Sequence, residues 1–211
     1  LDSKFIHKSS CVGLPLREEI IKLNNYNKKS NKIIISVIGG SQGSYTLANE
    51  VPMALIKFQN LVGKDIFVYH QCRQEDLNKI KHIYRAFNIK YEASNYFNDM
   101  PKKIISSNII ISRSGSSTMN EIITAQKPSV LIPYPYAVDN HQFYNAKVLK
   151  SLSCSEIISN NKLNSNILSN RLLKFYKNPD KIKYIHQKLG RSKHINSSLQ
   201  MLNMIENSND N

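Results

Sequence analysis

The stretch Ser112-Arg113-Ser114-Gly115-Ser116-Ser117-Thr118-Met119-Asn120-Glu121 holds the side chains and bare backbone best suited to gripping a ligand. A loop this rich in Gly and Ser presents unobstructed N–H groups, and where it opens a helix those groups form an anion site. Glu121 adds an acceptor-only carboxylate that can span the two hydroxyls of a ribose diol. Thr118-x-x-Glu121 is also a capping-box pattern, and capping alone accounts for both residues. Gly39-Gly40-Ser41-Gln42-Gly43-Ser44 repeats the theme. Ser41 could offer its hydroxyl and N–H to a phosphate oxygen, although a tight strand-to-helix turn also calls for glycine. Asp139-Asn140-His141-Gln142 predicts an N-cap at Asp139 with Gln142 completing the box. As ligand groups, His141 and Gln142 would hydrogen-bond a polar molecule such as a sugar. Arg17 follows the turn Gly13-Leu14-Pro15-Leu16, and its fork suits a phosphate or a uracil carbonyl. Phe97 either packs in the core or sits in a loop whose backbone reads the edge of a planar base.

These residues need strands and helices to carry them. Ile33–Ile38 is β-branched at every position but Ser36, the pattern of a strand covered on both faces. Further strands are expected at 65–70, 89–93, 108–112, 128–133 and 154–158. Between them Leu47, Val51, Ala54, Leu55 and Phe58 recur at helical spacing, as do Leu77, Ile80, Ile83, Tyr84 and Phe87. Helices are also expected at 118–126 and 139–152, with short helical segments at 18–23 and near Ile104 and Ile105, and a helical pattern from Leu163 onward. Strands alternating with helices predict an α/β, Rossmann-like parallel sheet with flanking helices. In such a sheet, loops at the carboxyl ends of the strands gather round one ligand.

Composition narrows the function classes. The chain has 211 residues, enough for one domain with an appendage. Its first residue is Leu, which predicts a piece of a longer protein, and no signal peptide or membrane span is expected. Cys11, Cys72 and Cys154 are widely spaced with no CxxC, so a zinc site and a disulfide framework are not indicated. Buried filler is the expected role for such cysteines. The six His show no metal-ligand spacing and no DxD occurs. Net charge is +14, which favours anionic partners. The excess is 23 Lys against 6 Arg, beside abundant Asn and Ile. Those residues share A/T-rich codons, and base or phosphate readers favour Arg for its fork, so nucleic acid is not the expected partner.

Taken in order, five motifs resemble those of one family: Gly13 to Arg17, Gly39 to Gly43, Phe97-Asn98-Asp99-Met100, Arg113 to Glu121, and Asp139-Asn140-His141-Gln142 to Asn145-Ala146. The family is the MurG family, the bacterial glycosyltransferases that add N-acetylglucosamine to undecaprenyl-linked muramyl-pentapeptide, converting lipid I to lipid II. The resemblance covers about residues 10–200 and corresponds to the family's C-terminal half. It implies half of a GT-B glycosyltransferase, with residues 1–31 an inter-domain segment and turn, 32–206 the donor domain and 207–211 a frayed tail. The resemblance implies a pocket for UDP-N-acetylglucosamine lined by Arg17, Ser41, Phe97, Gly115, Ser116, Ser117, Thr118, Met119, Asn120, Glu121, His141 and Gln142. Ser41 and the loop amides would hold the pyrophosphate, Phe97 would lie at the uracil, Glu121 at the ribose, and His141 and Gln142 at the sugar. Ser116-Ser117 stands where the family more usually has a small then an apolar residue.

By the same resemblance the N-terminal domain, with the general base and the lipid I site, is absent. No catalytic residue, cofactor or metal is therefore expected in this chain, which should bind donor without transferring sugar. The implied reaction is inverting and serves peptidoglycan synthesis, and through it cell shape and division. The implied location is peripheral, on the cytoplasmic face of the bacterial inner membrane, against an anionic lipid surface. Two alternatives stay open: a donor-binding subunit that needs a partner chain, and another UDP-sugar GT-B transferase or epimerase.

Overall fold

The computed structural model describes Ile20 and residues 32–40, 44–190 and 201–205. Arg17, Ser41, Cys11 and the expected turn at 13–17 lie outside the described residues. Of the short helix expected at 18–23, Ile20 alone is described, helical and fully buried.

Six strands form one parallel sheet in the order β3-β2-β1-β4-β5-β6: β1 Ile33–Ile38, β2 Ile66–Gln71, β3 Lys90–Ser94, β4 Ile109–Ser112, β5 Ser129–Leu131 and β6 Ser155–Ile157. Each expected strand is present, within about two residues of its expected ends, the usual uncertainty of element boundaries. β1 is central and pairs with both β2 and β4. Its β-branched run is what a strand buried on both faces requires. β3, at the edge, reads Lys-Tyr-Glu-Ala-Ser and stays half-exposed, as suits a strand with one open side.

The crossovers are α1 Tyr45–Val62, α2 Leu77–Ala86, α3 Met100–Ser106, α4 Ser116–Thr124 and α5 His141–Ser151, followed by α6 Ser165–Tyr176 and α7 Pro179–Leu189. α1, α2 and α6 pack together with α7 on α6, while α3, α4 and α5 pack in series. The two groups cover the two faces of a doubly wound sheet. α1 turns Leu47, Val51, Ala54, Leu55 and Phe58 inward, and Phe58 meets Tyr176 of α6 edge-on at 6.1 Å between ring centres. It runs through Pro52 without ending there, and Gly63 closes it in the left-handed region at φ 62°. The core is contiguous from Ile35 and Val68 to Ile110, Ile111, Leu131 and Phe175. Burying each such side chain stabilises the fold by about 1.5–3 kcal/mol.

The strand order reverses between β1 and β4, because β3 is at one edge when the chain returns to the middle. Ile38 pairs with Ser112, so the two strands end level. The Arg113 N–H donates to the Ile38 carbonyl at 3.3 Å. The loops after β1 and β4 therefore leave the sheet side by side at its switch point, the place where open α/β sheets bind ligands.

Candidate functional site

A cavity of about 810 Å³ opens at this switch point. Its floor is Ile38 at the end of β1, Gly39 and Gly40 after it, and Arg113 after β4. Gly40 takes φ +83° with open space where a Cβ would lie, so backbone geometry rather than crowding favours glycine there.

Two helices point their N-termini at the cavity. Tyr45 and Thr46 open α1 on one side, and Gly115, Ser116, Ser117 and Thr118 open α4 on the other. α4 has no side-chain cap: Gly115 is the N-cap residue, and the first helical bond runs from the Met119 N–H to the Gly115 carbonyl. The amides of Ser116, Ser117 and Thr118 are thus the helix's own orphan donors, at the positive end of its dipole. This corrects the capping-box expectation. Thr118 lies inside the first turn, so the pattern's spacing coincides with a helix that starts earlier.

Arg113 is the buried cation of the cavity, whereas Arg73, which also lines it, is paired with Glu75 and Asp76. Arg113 is 9% exposed, yet its hydrogen-bond partners among the described residues are neutral. Nη1 donates to the carbonyls of Ile132 at 3.0 Å and Pro133 at 3.1 Å, and Nη2 donates to Ser44 Oγ at 2.7 Å. The guanidinium also stands 5.7 Å from the Tyr134 ring centre. Burial pushes its pKa down, with Tyr134 opposing, but an arginine stays charged. A buried cation held by dipoles, with no carboxylate bonded to it among the described residues, leaves a positive field for an anion in the cavity. Ser44 Oγ also accepts from the Leu47 N–H at 3.3 Å as the N-cap of α1, so one hydroxyl ties Arg113 to that helix. Arg113 and Ser44 were not singled out as site residues from sequence. The available signal was a charged residue directly behind an apolar strand.

Glu121 is 7% exposed and faces the same cavity from α4. Phe97, Tyr96 and Met100 form the wall after β3. Phe97 is buried and also touches the cavity. His141, Gln142 and Tyr134 form the opposite wall. His141 Nδ1 lies 2.8 Å from the Val138 carbonyl. A carbonyl only accepts, so Nδ1 carries the proton and Nε2 is left for other partners.

Gln142 has a second task. Its Oε1 accepts from the Ser114 N–H at 3.3 Å and the Tyr134 N–H at 3.0 Å, while its own carbonyl accepts from Ser114 Oγ at 2.7 Å. Asn145 Nδ2 donates to the Ser114 carbonyl at 3.1 Å. Gln142 and Asn145 therefore staple the loops after β4 and β5 together. The expected cap at Asp139 is another correction. Asp139 and Asn140 both adopt left-handed conformations, φ 50° and 52°, in a 3-10 turn, and neither caps α5 with its side chain. Short polar side chains tolerate that region, which is why this turn resembles a cap in sequence.

Of the expected site residues, Phe97, Gly115, Ser116, Ser117, Thr118, Glu121, His141 and Gln142 meet in one cavity. Met119 packs into the core, and Asn120 turns its Nδ2 back to the Ser116 carbonyl at 2.8 Å. Neither lines the wall. Cys72 and Cys154 are buried, and burial pushes the Cys72 thiol up to about 11, which makes it inert filler. Among the described residues no group of His, Cys, Asp and Glu is placed to hold a metal ion.

Residues 34–199 match the glycosyltransferase family 28 C-terminal domain. The chain is 35% identical over 187 residues to the UDP-N-acetylglucosamine–N-acetylmuramyl-(pentapeptide) pyrophosphoryl-undecaprenol N-acetylglucosamine transferase of Zymomonas mobilis, covering 87% of this chain and 48% of that protein. It is 32% identical to the enzyme of the same name from Francisella philomiragia, over 98% of this chain and 57% of the relative. Among solved structures it is similar to Acinetobacter baumannii MurG, with a TM-score of 0.74 at 23% identity over 93% of this chain and 54% of that one. A putative UDP-N-acetylglucosamine 2-epimerase from Listeria monocytogenes shares the fold at a TM-score of 0.59 and 10% identity. The chain spans about half the length of the curated relatives it matches.

Proposed function

The chain belongs to glycosyltransferase family 28 as a C-terminal domain of it, and from that premise we propose that it is the donor-binding half of a transferase that moves N-acetylglucosamine from UDP-N-acetylglucosamine to lipid I. One observation carries this reading. Buried Arg113, bonded to no carboxylate among the described residues, faces a cavity shared with two helix N-termini and the Glu121 carboxylate. The cation and the amides suit a diphosphate, and the carboxylate one turn further on suits a ribose diol. The names of the relatives supply the sugar and the acceptor.

In this reading residues 32–206 form the donor domain. The uracil lies along Phe97, the pyrophosphate lies over the amides of 116–118 beside Arg113, and the sugar reaches toward His141 and Gln142. Ser41 and Arg17 would complete the phosphate and base contacts. Departure of UDP is eased because donors already in place meet the charge that builds on its pyrophosphate. Inversion needs a base on the acceptor side, and the acceptor half of the full-length relatives is the place for it. The protein would work in peptidoglycan synthesis at the cytoplasmic face of the inner membrane, held peripherally by its basic surface rather than by nucleic acid.

Calorimetric titration with UDP-N-acetylglucosamine, UDP and UDP-glucose, without added metal, tests the reading. Preference for the N-acetyl sugar is the expected result. Equal affinity for UDP and both sugars would retain the nucleotide site and reopen the sugar, leaving another UDP-sugar transferase or an epimerase. Absence of binding by the folded chain would overturn the reading of the cavity.

A further inference from the structure

Lys103, on α3, is only 5% exposed. A buried ammonium persists only when it is paired, and this one is gripped from several sides. Its Nζ lies 3.0 Å from each carboxylate oxygen of Glu92 on β3 and 3.3 Å from Asp99. It also stands 4.5 Å from the centre of the Tyr69 ring on β2 and 4.6 Å from that of Phe97. Burial pushes its pKa down, Glu92 and Asp99 outweigh burial, and the result is raised. The ammonium is therefore charged throughout the neutral range.

Phe97 and Asp99 belong to the short link between β3 and α3, whose inner side is cavity wall. The backbone of this link is anchored on both sides of Phe97: Gln71 Nε2 donates to the Asn95 carbonyl at 3.4 Å, the Tyr96 N–H donates to Ser94 Oγ at 3.3 Å, and the Asp99 carbonyl accepts from the Lys102 and Lys103 N–H groups at 2.9 and 3.2 Å. Ser94 Oγ donates to the Tyr96 carbonyl at 2.7 Å, and the Phe97 carbonyl accepts from the Met100 N–H at 3.4 Å. The Phe97 N–H meets no acceptor among the described residues. Among the described residues Lys103 is the one side chain that holds both the Phe97 ring and the Asp99 carboxylate, from behind the wall. It does not itself line the cavity.

We propose that Lys103 is the positioning residue for base recognition: by clamping Phe97 and Asp99 it aims the Phe97 N–H at the edge of a pyrimidine and so sets the preference for a uridine nucleotide. The proposal rests on the nucleotide-sugar reading of the cavity. The ammonium acts through Phe97 and never touches the ligand. Its loss should therefore alter base discrimination and leave diphosphate binding unchanged, whereas a general packing defect would weaken both.

Two measurements on Lys103→Met and Glu92→Gln test it. Amide hydrogen exchange on the ligand-free protein reads the link directly, and calorimetric titration with UDP, CDP and inorganic pyrophosphate reads recognition. Both variants are expected to exchange faster at 94–100 and not elsewhere. UDP should weaken about tenfold in Lys103→Met, the margin over CDP should narrow, and pyrophosphate should bind as before. Unchanged exchange, a retained UDP preference, or equal loss of UDP and pyrophosphate would overturn the assignment. A wild-type chain that does not distinguish UDP from CDP would remove the uridine reading itself and this proposal with it. Should Lys103→Met fail to fold, Glu92→Gln carries the same comparison, since that carboxylate is half-exposed.

Discussion

Glu121 shows how one residue type can satisfy two explanations in sequence and be decided by its helix. Its spacing from Thr118 fits a capping box, but α4 begins at Ser116 and leaves Thr118 in the first turn. The carboxylate is instead buried at the cavity. Glu121→Ala is expected to weaken UDP binding by about 1–3 kcal/mol, the range for losing a hydrogen bond to a charged group. Titration of the folded variant checks this, and unchanged affinity would leave the carboxylate no part in binding. Arg113 is the opposite case. It was visible in the motif, but the neutral acceptors that hold it, the carbonyls of Ile132 and Pro133 and the Ser44 hydroxyl, come from other parts of the chain.

At the scale of elements, Ser44 joins two roles. It caps α1 and accepts from Arg113, so Ser44→Ala removes both bonds at once. A loss of about 1–2 kcal/mol is expected from the cap alone, read as a lower urea midpoint. UDP should also bind more weakly, because Arg113 loses the acceptor that orients its fork. β2 supplies a pH-dependent element. His70 is fully buried, its Nδ1 2.8 Å from the Tyr84 hydroxyl, and burial, only partly offset by Asp76, pushes its pKa down to about 3. An unfolded His takes up a proton near its ordinary pKa of about 6.5, and the folded one does not until near 3. Stability from this group is full above about pH 6.5 and falls as pH drops toward 3. From pH 7 to pH 5 the loss is about 2 kcal/mol. His70→Asn, which can still pair with Tyr84, should flatten that acid limb in urea melts at the two pH values.

For the whole molecule, the net charge of +14 and the absence among the described residues of any helix able to cross a membrane bear on where the protein works. If its basic surface holds it at anionic lipid, it should sediment with anionic vesicles at low salt, stay behind with neutral ones, and be released as salt rises. Equal sedimentation with both vesicle types would rule out that attachment.

The order and type of the elements were legible from the residues themselves. Ile33–Ile38 is apolar on both faces except at Ser36, as a covered parallel strand requires, and α1 repeats its apolar residues at the helical period. These signals are local, so periodicity carries them. Phe97, Ser116, Glu121 and His141 could be picked out as candidates because Gly- and Ser-rich loops follow strands, yet their meeting in one cavity was decided by strand order. Only once β4 returned beside β1, ending level with it, did the loops after Ile38 and Ser112 become neighbours. The staple made by Gln142, the neutral cage around Arg113 and the clamp of Lys103 on Phe97 stayed hidden for the same reason. Each joins residues from separate elements, and a hydrogen bond or a buried charge is defined by what folding brings within a few ångströms of it.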